Sequence, residues 1–340
     1  MTFPAKKKIL LLLLMLVLGF AGFAAYSYRT ELTMRLVHRN PQPVRSVAAG
    51  QTTFSLQQLN TPELTSYDVD KILSFVVQDG VYYLAIRSQD GSSTMVEAFT
   101  EKDGSLYPYR NFGDKGTFTI PDKMILSVTV SPAGDIVYVK KGIHTLKDGN
   151  DIISLKGTTT ATRVAFLPGG QKAYLYGNDN FTLTDYKDGS FNNNKPAFLH
   201  NRAKPFAGGL TLVQVTPDGM IWGGGRPIPN GFNMIASFTH QGLPAKVYGS
   251  SNPVDKDSIY DLVDMAVIDH YIVAIDGFTL KLWNRDGQFL DSLNTSKVLG
   301  GNLNGSRLAV IDGKTIALLA TVRNAQTKLV EIHIFLLTFS

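Results

Sequence analysis

Beyond residue 51 the chain alternates between short runs of β-branched and aromatic residues and clusters of Gly, Asp, Asn and Pro. No segment there carries an apolar repeat of helical period over a useful length, so the body is expected to be built from short strands. One arrangement recurs: an apolar strand, a tight turn, and a second strand at once. It appears as Ile72–Val77, Gln78-Asp79-Gly80, Val81–Ile86, and again as Leu126–Val130, Ser131–Gly134, Ile136–Val139. Arg163–Phe166 and Ala173–Tyr176 flank Leu167–Gly170, and Leu212–Val215 and Met220–Trp222 flank Thr216–Gly219. Met265–Ile268 and Tyr271–Ile275 flank Asp269-His270, and Leu308–Ile311 and Thr315–Leu319 flank Asp312-Gly313. Proline presets φ early in such a turn and glycine tolerates a positive φ later, so these are hairpin turns by their chemistry.

A second turn comes next in most units: Lys102-Asp103-Gly104, Lys147-Asp148-Gly149, Lys187-Asp188-Gly189, Gln241-Gly242 and Arg285-Asp286-Gly287. Each unit therefore holds four strands. Gly80 to Gly313 is 233 positions over five intervals, about 47 per unit, the length of a four-stranded propeller blade. The fold class expected is all-β, a six-bladed β-propeller over residues 51–340, with a seven-bladed ring as the alternative. The sixth unit lacks a clear fourth strand before the chain ends. Because a ring must close its edges, Thr52–Leu59 is expected to supply it, paired beside Val330–Leu337.

Segments such as Thr216-Pro217-Asp218-Gly219-Met220-Ile221-Trp222 and Leu282-Trp283-Asn284-Arg285-Asp286-Gly287-Gln288-Phe289-Leu290 resemble NHL-type and related six-bladed propeller repeats, from about residue 70 to 340. His270 departs from the pattern, standing where glycine is usual. The resemblance implies architecture more than activity. Six-bladed relatives include metal-dependent lactonases, whose carboxylate and Asn ligands line the central channel; no residue of this chain maps onto those ligands.

The N-terminal pattern is different. Ile9–Tyr28 is an uncharged apolar run of 20 residues behind Lys6-Lys7-Lys8. As a helix at ~1.5 Å per residue it matches one bilayer core, and the lysines favour a cytoplasmic N-terminus. Residues 1–28 are read as a transmembrane signal-anchor, 29–50 as a stalk, and the body as outside the cytoplasm. The alternative is a cleaved signal peptide, with Gly22-Phe23-Ala24 at the cleavage site.

Charge changes the picture once it is divided along the chain. The protein holds 33 Lys+Arg and 28 Asp+Glu, a net +5. Seven of those bases and one acid lie in residues 1–45, leaving 26 bases and 27 acids in the body. A nucleic-acid-binding body is thereby disfavoured, since phosphate contact needs clustered Lys and Arg. There are no cysteines, which excludes disulfides, thiol nucleophiles and Cys-ligated zinc.

Candidate chemistry is sparse. No catalytic residue, metal ligand or cofactor is assigned. The six histidines show no metal-ligand spacing, and the run Asp255, Asp257, Asp261, Asp264, Asp269 lacks a calcium loop's turn glycine. In a blade, the turns between strands one and two and between three and four share one face. The other face should carry the long insertions Asn111–Lys123, Asn192–Gly209, Gly223–Asn233 and Gly249–Tyr260. Long loops are commonly functional. Within them, Gly223-Gly224-Gly225-Arg226-Pro227-Ile228-Pro229-Asn230 is the most distinctive stretch, with Arg226 as an anion or protein contact. Arg202 and Lys204 form a small basic cluster, and Phe206, Phe232 and Tyr248 are the aromatic candidates. The expected role is a membrane-anchored, non-catalytic binding or assembly module for an envelope protein or an extracellular ligand. The alternatives are a lactonase-like hydrolase and a glycan or cell-wall binder.

Overall fold

The computed structural model describes residues 44–50, 52–61, 72–88, 92–121, 124–147, 150–155, 161–177, 180–199, 209–227, 231–239, 244–300, 303–323 and 330–340. The expected membrane anchor at Ile9–Tyr28 lies outside the described residues. So does the stalk as far as residue 43. No helix among the described residues is long and apolar enough to cross a membrane.

Two N-terminal strands, β1 (Arg45–Ala49) and β2 (Thr52–Leu59), precede the repeating units. Blade one holds β3 (Ile72–Gln78), β4 (Val81–Arg87), β5 (Thr94–Lys102) and β6 (Ser105–Pro108). A short β7 (Thr117–Ile120) also pairs with β5. Blade two is β8 (Ser127–Val130), β9 (Ile136–Val139), β10 (Ile143–Lys147) and β11 (Asn150–Leu155); blade three is β12 (Arg163–Phe166), β13 (Lys172–Gly177), β14 (Asn180–Lys187) and β15 (Ser190–Leu199). Blade four runs β16 (Leu210–Val215), β17 (Ile221–Gly225), β18 (Met234–Phe238), β19 (Pro244–Tyr248), and blade five β20 (Leu262–Val267), β21 (Tyr271–Asp276), β22 (Thr279–Asn284), β23 (Phe289–Asn294). A one-turn helix α1 (Thr295–Leu299), capped by the Asn294 side chain on the Lys297 N–H, leads to β24 (Asn304–Val310), β25 (Thr315–Arg323) and β26 (Val330–Phe339) of blade six.

These make six antiparallel sheets among the described residues. The first strands β3, β8, β12, β16, β20 and β24 touch their neighbours in turn, and β24 touches β3. The ring therefore closes with six blades, and the seven-bladed alternative falls. Blade six is completed as expected: β2 pairs with β26 in the register Phe54↔Phe339 to Leu59↔Ile334. The ring also starts earlier than residue 51, because Arg45–Ala49 adds a further strand outside β2.

Burial depends on position in the blade. Second strands are buried throughout, as in Ile136-Val137-Tyr138-Val139, because both faces meet neighbouring blades. First strands line the central channel and are less fully buried, as in Ser127-Val128-Thr129-Val130, where Ser127 and Thr129 are half-buried. The buried side chains fall into six clusters, one at each interface between blades. No blade has an internal core of its own, so stability depends on the complete ring. The Asp-Gly turns obey the same logic. Asp79-Gly80, Asp103-Gly104 and Asp188-Gly189 all have positive φ at both residues, as type I′ hairpins require. At the departure from the repeat pattern, neither Asp269 nor His270 has a positive φ, so that turn does not need glycine.

Three expected loops are shorter than the sequence suggested, for β7 takes up Thr117–Ile120 of the expected Asn111–Lys123. Residues 192–199 continue β15. Gly223-Gly224-Gly225 is the buried end of β17, and the chain loops outward only after Gly225. The reason is steric. A Cβ on Gly225 would lie 2.2 Å from the Gly209 carbonyl oxygen and 2.8 Å from the Leu210 Cα; on Gly223 or Gly224 it would meet Leu210 or Leu262. The glycines allow β16 and the neighbouring blade to approach β17 closely. Gly225→Ala is expected to destabilise the protein by about 2 kcal/mol, since the clash is with backbone that cannot turn away. A denaturation midpoint equal to that of the parent would show that the approach is not constrained.

Candidate functional site

The inner faces of the six first strands enclose a cavity of about 450 Å³ along the ring axis. Each first strand enters from the face that carries the loops joining strands two to three and four to one, called here the loop face. It leaves at the opposite turn face. The channel's charged residues lie toward the loop face: Arg163 of β12, Asp264 of β20 and Arg307 of β24. Each stands three positions before the last residue of its strand, Phe166, Val267 and Val310 respectively. Equivalent places in the repeat thus put them at one level of the channel.

Both guanidiniums are fastened to backbone carbonyls. Arg163 Nη1 donates to the oxygens of Thr162 at 2.9 Å and Leu126 at 3.2 Å. Arg307 donates from Nη1 to Ser306 O and from Nη2 to Ile72 O, both at 2.6 Å. Asp264 accepts from the N–H groups of Met265 at 2.8 Å and Leu308 at 2.9 Å. The bonds to Leu126, Ile72 and Leu308 each cross to another blade, so the triad is held by the ring. Burial pushes the Asp264 carboxyl pKa up, against the opposing pull of Arg307, the two N–H groups and Arg163. Burial also lowers the pKa of Arg163; attraction to Asp264 opposes the shift and repulsion from Arg307 adds to it.

The loop face is apolar at tips of blades two and five. Met124 and Leu126 precede β8, Val254 and Tyr260 stand in the loop before β20, and Phe278 forms the two-residue turn after β21 with Gly277 at φ 54°. Val254 is 83% exposed and Phe278 66%. Phe232 packs edge-on against Tyr260, ring centroids 4.8 Å apart. Met124, Leu126, Val254, Tyr260 and Phe278 are five of the eight large apolar residues exposed among the described residues. The loop Gly249–Asp261 that carries two of them is pinned from beneath. Asp276 receives the N–H groups of Tyr260 and Asp261, and the buried Lys281 binds both Asp276, at 3.0 Å, and the Ser258 carbonyl.

On the turn face a second cleft, of about 550 Å³, lies between blades four and five. Arg285 crosses it, its guanidinium 5.2 Å from the Trp222 ring centroid and 3.0 Å from Asp218. Burial alone would raise the Asp218 pKa, but hydrogen bonds from Thr216, Met220 N–H and Arg285 hold it below its ordinary value.

The residues expected to form a site are only partly brought together. Arg226 is exposed at the root of the loop after β17, and Phe232 lies in the same loop, both on the loop face. Tyr248 is buried; its ring packs 5.7 Å from Trp222 and its hydroxyl donates to the Arg285 carbonyl. Its side chain thus belongs to the turn-face cleft. Asn230, Arg202, Lys204 and Phe206 lie outside the described residues. The acidic run disperses. Asp255 ties its own loop through Ser250 and Asn252, while Asp264 enters the channel. Among the described residues no three His, Asp or Glu side chains gather as a metal site. The channel arginines were absent from the sequence expectations. The available signal was a charge at a fixed place in otherwise apolar first strands, as in Arg163-Val164-Ala165-Phe166.

No family model matches the chain. No curated protein matches it either. Solved structures with a similar fold include the β-propeller domain of Cps50 (Swd1) from Myceliophteria thermophila, at 10% identity and a TM-score of 0.48, covering 85% of this chain and 98% of that one. Another is KlHsv2 with loop 6CD replaced by a Gly-Ser linker, at 11% identity and a TM-score of 0.45, covering 78% and 97%. The blade count rests on the strand order of this chain's own sheets.

Proposed function

We propose that this chain is a non-catalytic binding and assembly module whose protein partner docks on the loop face of the propeller. The observation that carries the reading is that this one face presents two exposed apolar groups, Met124 and Leu126 of blade two and Val254, Tyr260 and Phe278 of blade five. Isolated exposed apolar residues are ordinary, but a group of them on one surface marks an interaction site. The channel supports binding over metal-dependent hydrolysis. Among the described residues its charged groups are two guanidiniums and one carboxylate, a set that repels a cation. The repeats are proposed to be of the NHL type. The body is further proposed to be held outside the cytoplasm by Ile9–Tyr28, on the strength of the apolar length and the lysines before it.

The test is photo-crosslinking in intact cells, with the crosslinking side chain placed at Val254 or Phe278 and, as a control, at Ile153 on the outer strand of blade two. Capture of one discrete protein from the first two positions, abolished by Phe278→Asp, is the expected result. Equal capture from Ile153, or none from the loop face, would overturn the proposal.

A further inference from the structure

The geometry points to an oxyanion-binding site at the loop-face mouth of the channel, in which a carboxylate or phosphate group is held between the guanidiniums of Arg163 and Arg307. β12 and β24 are the first strands of blades three and six, which stand opposite one another in a six-membered ring. The two arginines therefore approach the axis from opposite sides, and they are close enough to repel one another.

Each guanidinium has five N–H donors in a planar fork. In Arg163 only Nη1 is engaged, and in Arg307 only Nη1 and Nη2. Nε and Nη2 of Arg163 and Nε of Arg307 have no protein acceptor among the described residues. The engaged atoms fix the side chains and leave the remaining donors for a ligand, so little rotamer freedom is lost on binding. Guanidinium geometry suits the paired oxygens of a carboxylate or phosphate.

Charge leads to the same ligand. Two fixed cations face one carboxylate across the channel. Asp264 carries at most one negative charge and cannot neutralise both. An oxyanion between the arginines would relieve their repulsion and use their free donors. Ser127 stands at the same level of its strand, three positions before Val130, and adds a hydroxyl to the rim of the site. Its present hydrogen bond is to the Thr162 carbonyl at 2.8 Å. The same chemistry is offered by a free anion and by an acidic side chain of a docked protein. The site is read from the channel alone; only an acidic side chain as its occupant rests on the proposed loop-face partner.

The experiment titrates the purified full chain, in detergent micelles, with inorganic phosphate and separately with acetate by isothermal calorimetry. Saturable binding of either ion at one site per chain is expected. Arg163→Met should weaken it at least tenfold, Asp264→Asn should strengthen it, and Lys102→Met, exposed at the end of β5 and outside the channel, should leave it unchanged. Arg307 also ties blade six to blade one, so Arg307→Lys, which keeps the charge and loses the fork, is the second variant; it should weaken binding while preserving the thermal transition. If neither ion binds, but Arg163→Met and Arg307→Lys each abolish capture of the crosslinked partner, the anion is the partner's own side chain and the site stands. Binding unchanged by these variants, or no binding of either ion together with unchanged capture, would overturn it.

Discussion

Deleting Thr52–Leu59 will open the ring and abolish cooperative unfolding of the whole body. This strand sits far from the rest of blade six in sequence, yet it supplies three side chains to the core. Phe54, Leu56 and Leu59 are each buried. Phe54 packs on Phe339 with ring centroids 5.2 Å apart; Leu56 joins the cluster between blades five and six, and Leu59 the cluster between six and one. Truncating a buried Phe costs about 3–5 kcal/mol and a buried Leu about 2–5. Together these are comparable to a domain's typical net stability of roughly 5–15 kcal/mol. The deletion also exposes β26 as an unpaired edge, which invites association between chains. Phe54→Ala alone should cost about 3–5 kcal/mol in urea denaturation, with the larger deletion showing no cooperative transition. Removing only Arg45–Ala49 should be far milder, since Ala49 is the one fully buried residue of that strand. A deletion of Thr52–Leu59 that unfolds as cooperatively as the parent would refute this account of closure.

The second large effect is expected at Lys281. Its ammonium and the Asp276 carboxylate are 3.0 Å apart, with both side chains only 7% exposed. The pair also binds three backbone groups of the loop before β20: Ser258 O on the lysine, and the N–H groups of Tyr260 and Asp261 on the aspartate. Lys281→Ala leaves a carboxylate buried without its counter-charge, a change that costs about 3–5 kcal/mol. It also releases the Ser258 carbonyl, so residues 249–261 should become the first site of protease cleavage. Replacing both partners, as in Lys281→Met with Asp276→Asn, should cost less than the two single changes added together, because neither charge is then stranded. The readouts are chemical denaturation and limited proteolysis. A Lys281→Ala cost below about 1 kcal/mol would mean that the pair contributes little, as surface pairs do. Because this loop carries Val254 and Tyr260, the ion pair links the stability of blade five to the shape of the proposed docking face.

Much of this architecture is legible in the chain because it is local. The Asp-Gly turns at Asp79, Asp103 and Asp188 adopt the positive φ values that their residue types favour. The apolar runs between them become strands, within one or two residues of the expected limits in blades one to three and up to four residues longer at one end in blades four to six. Even the closing strand could be inferred, since the sixth unit was one strand short and Thr52–Leu59 was the unassigned strand-like segment. The expectations fail where a neighbour distant in sequence sets the outcome. Gly223-Gly224-Gly225 has the composition of a loop, but the Gly209 carbonyl and the Leu210 backbone press so close on Gly225 that only glycine fits there in the strand. Arg45–Ala49 is mostly exposed to solvent and becomes a strand because β2 offers it an edge. Tyr248 joins no loop; Trp222 and the Arg285 carbonyl draw it to the opposite face.

The repeating four-stranded unit is written locally in the chain, since turn chemistry and the period of apolar residues act over a few positions; the choice of six blades over seven is made only when the ring closes. Which side chains meet on the axis is set by the folded ring alone. Arg163, Asp264 and Arg307 are separated by up to 144 positions and share no motif. They converge because six equivalent strands are wrapped around one centre, and a fixed place in the repeat becomes a fixed height in the channel.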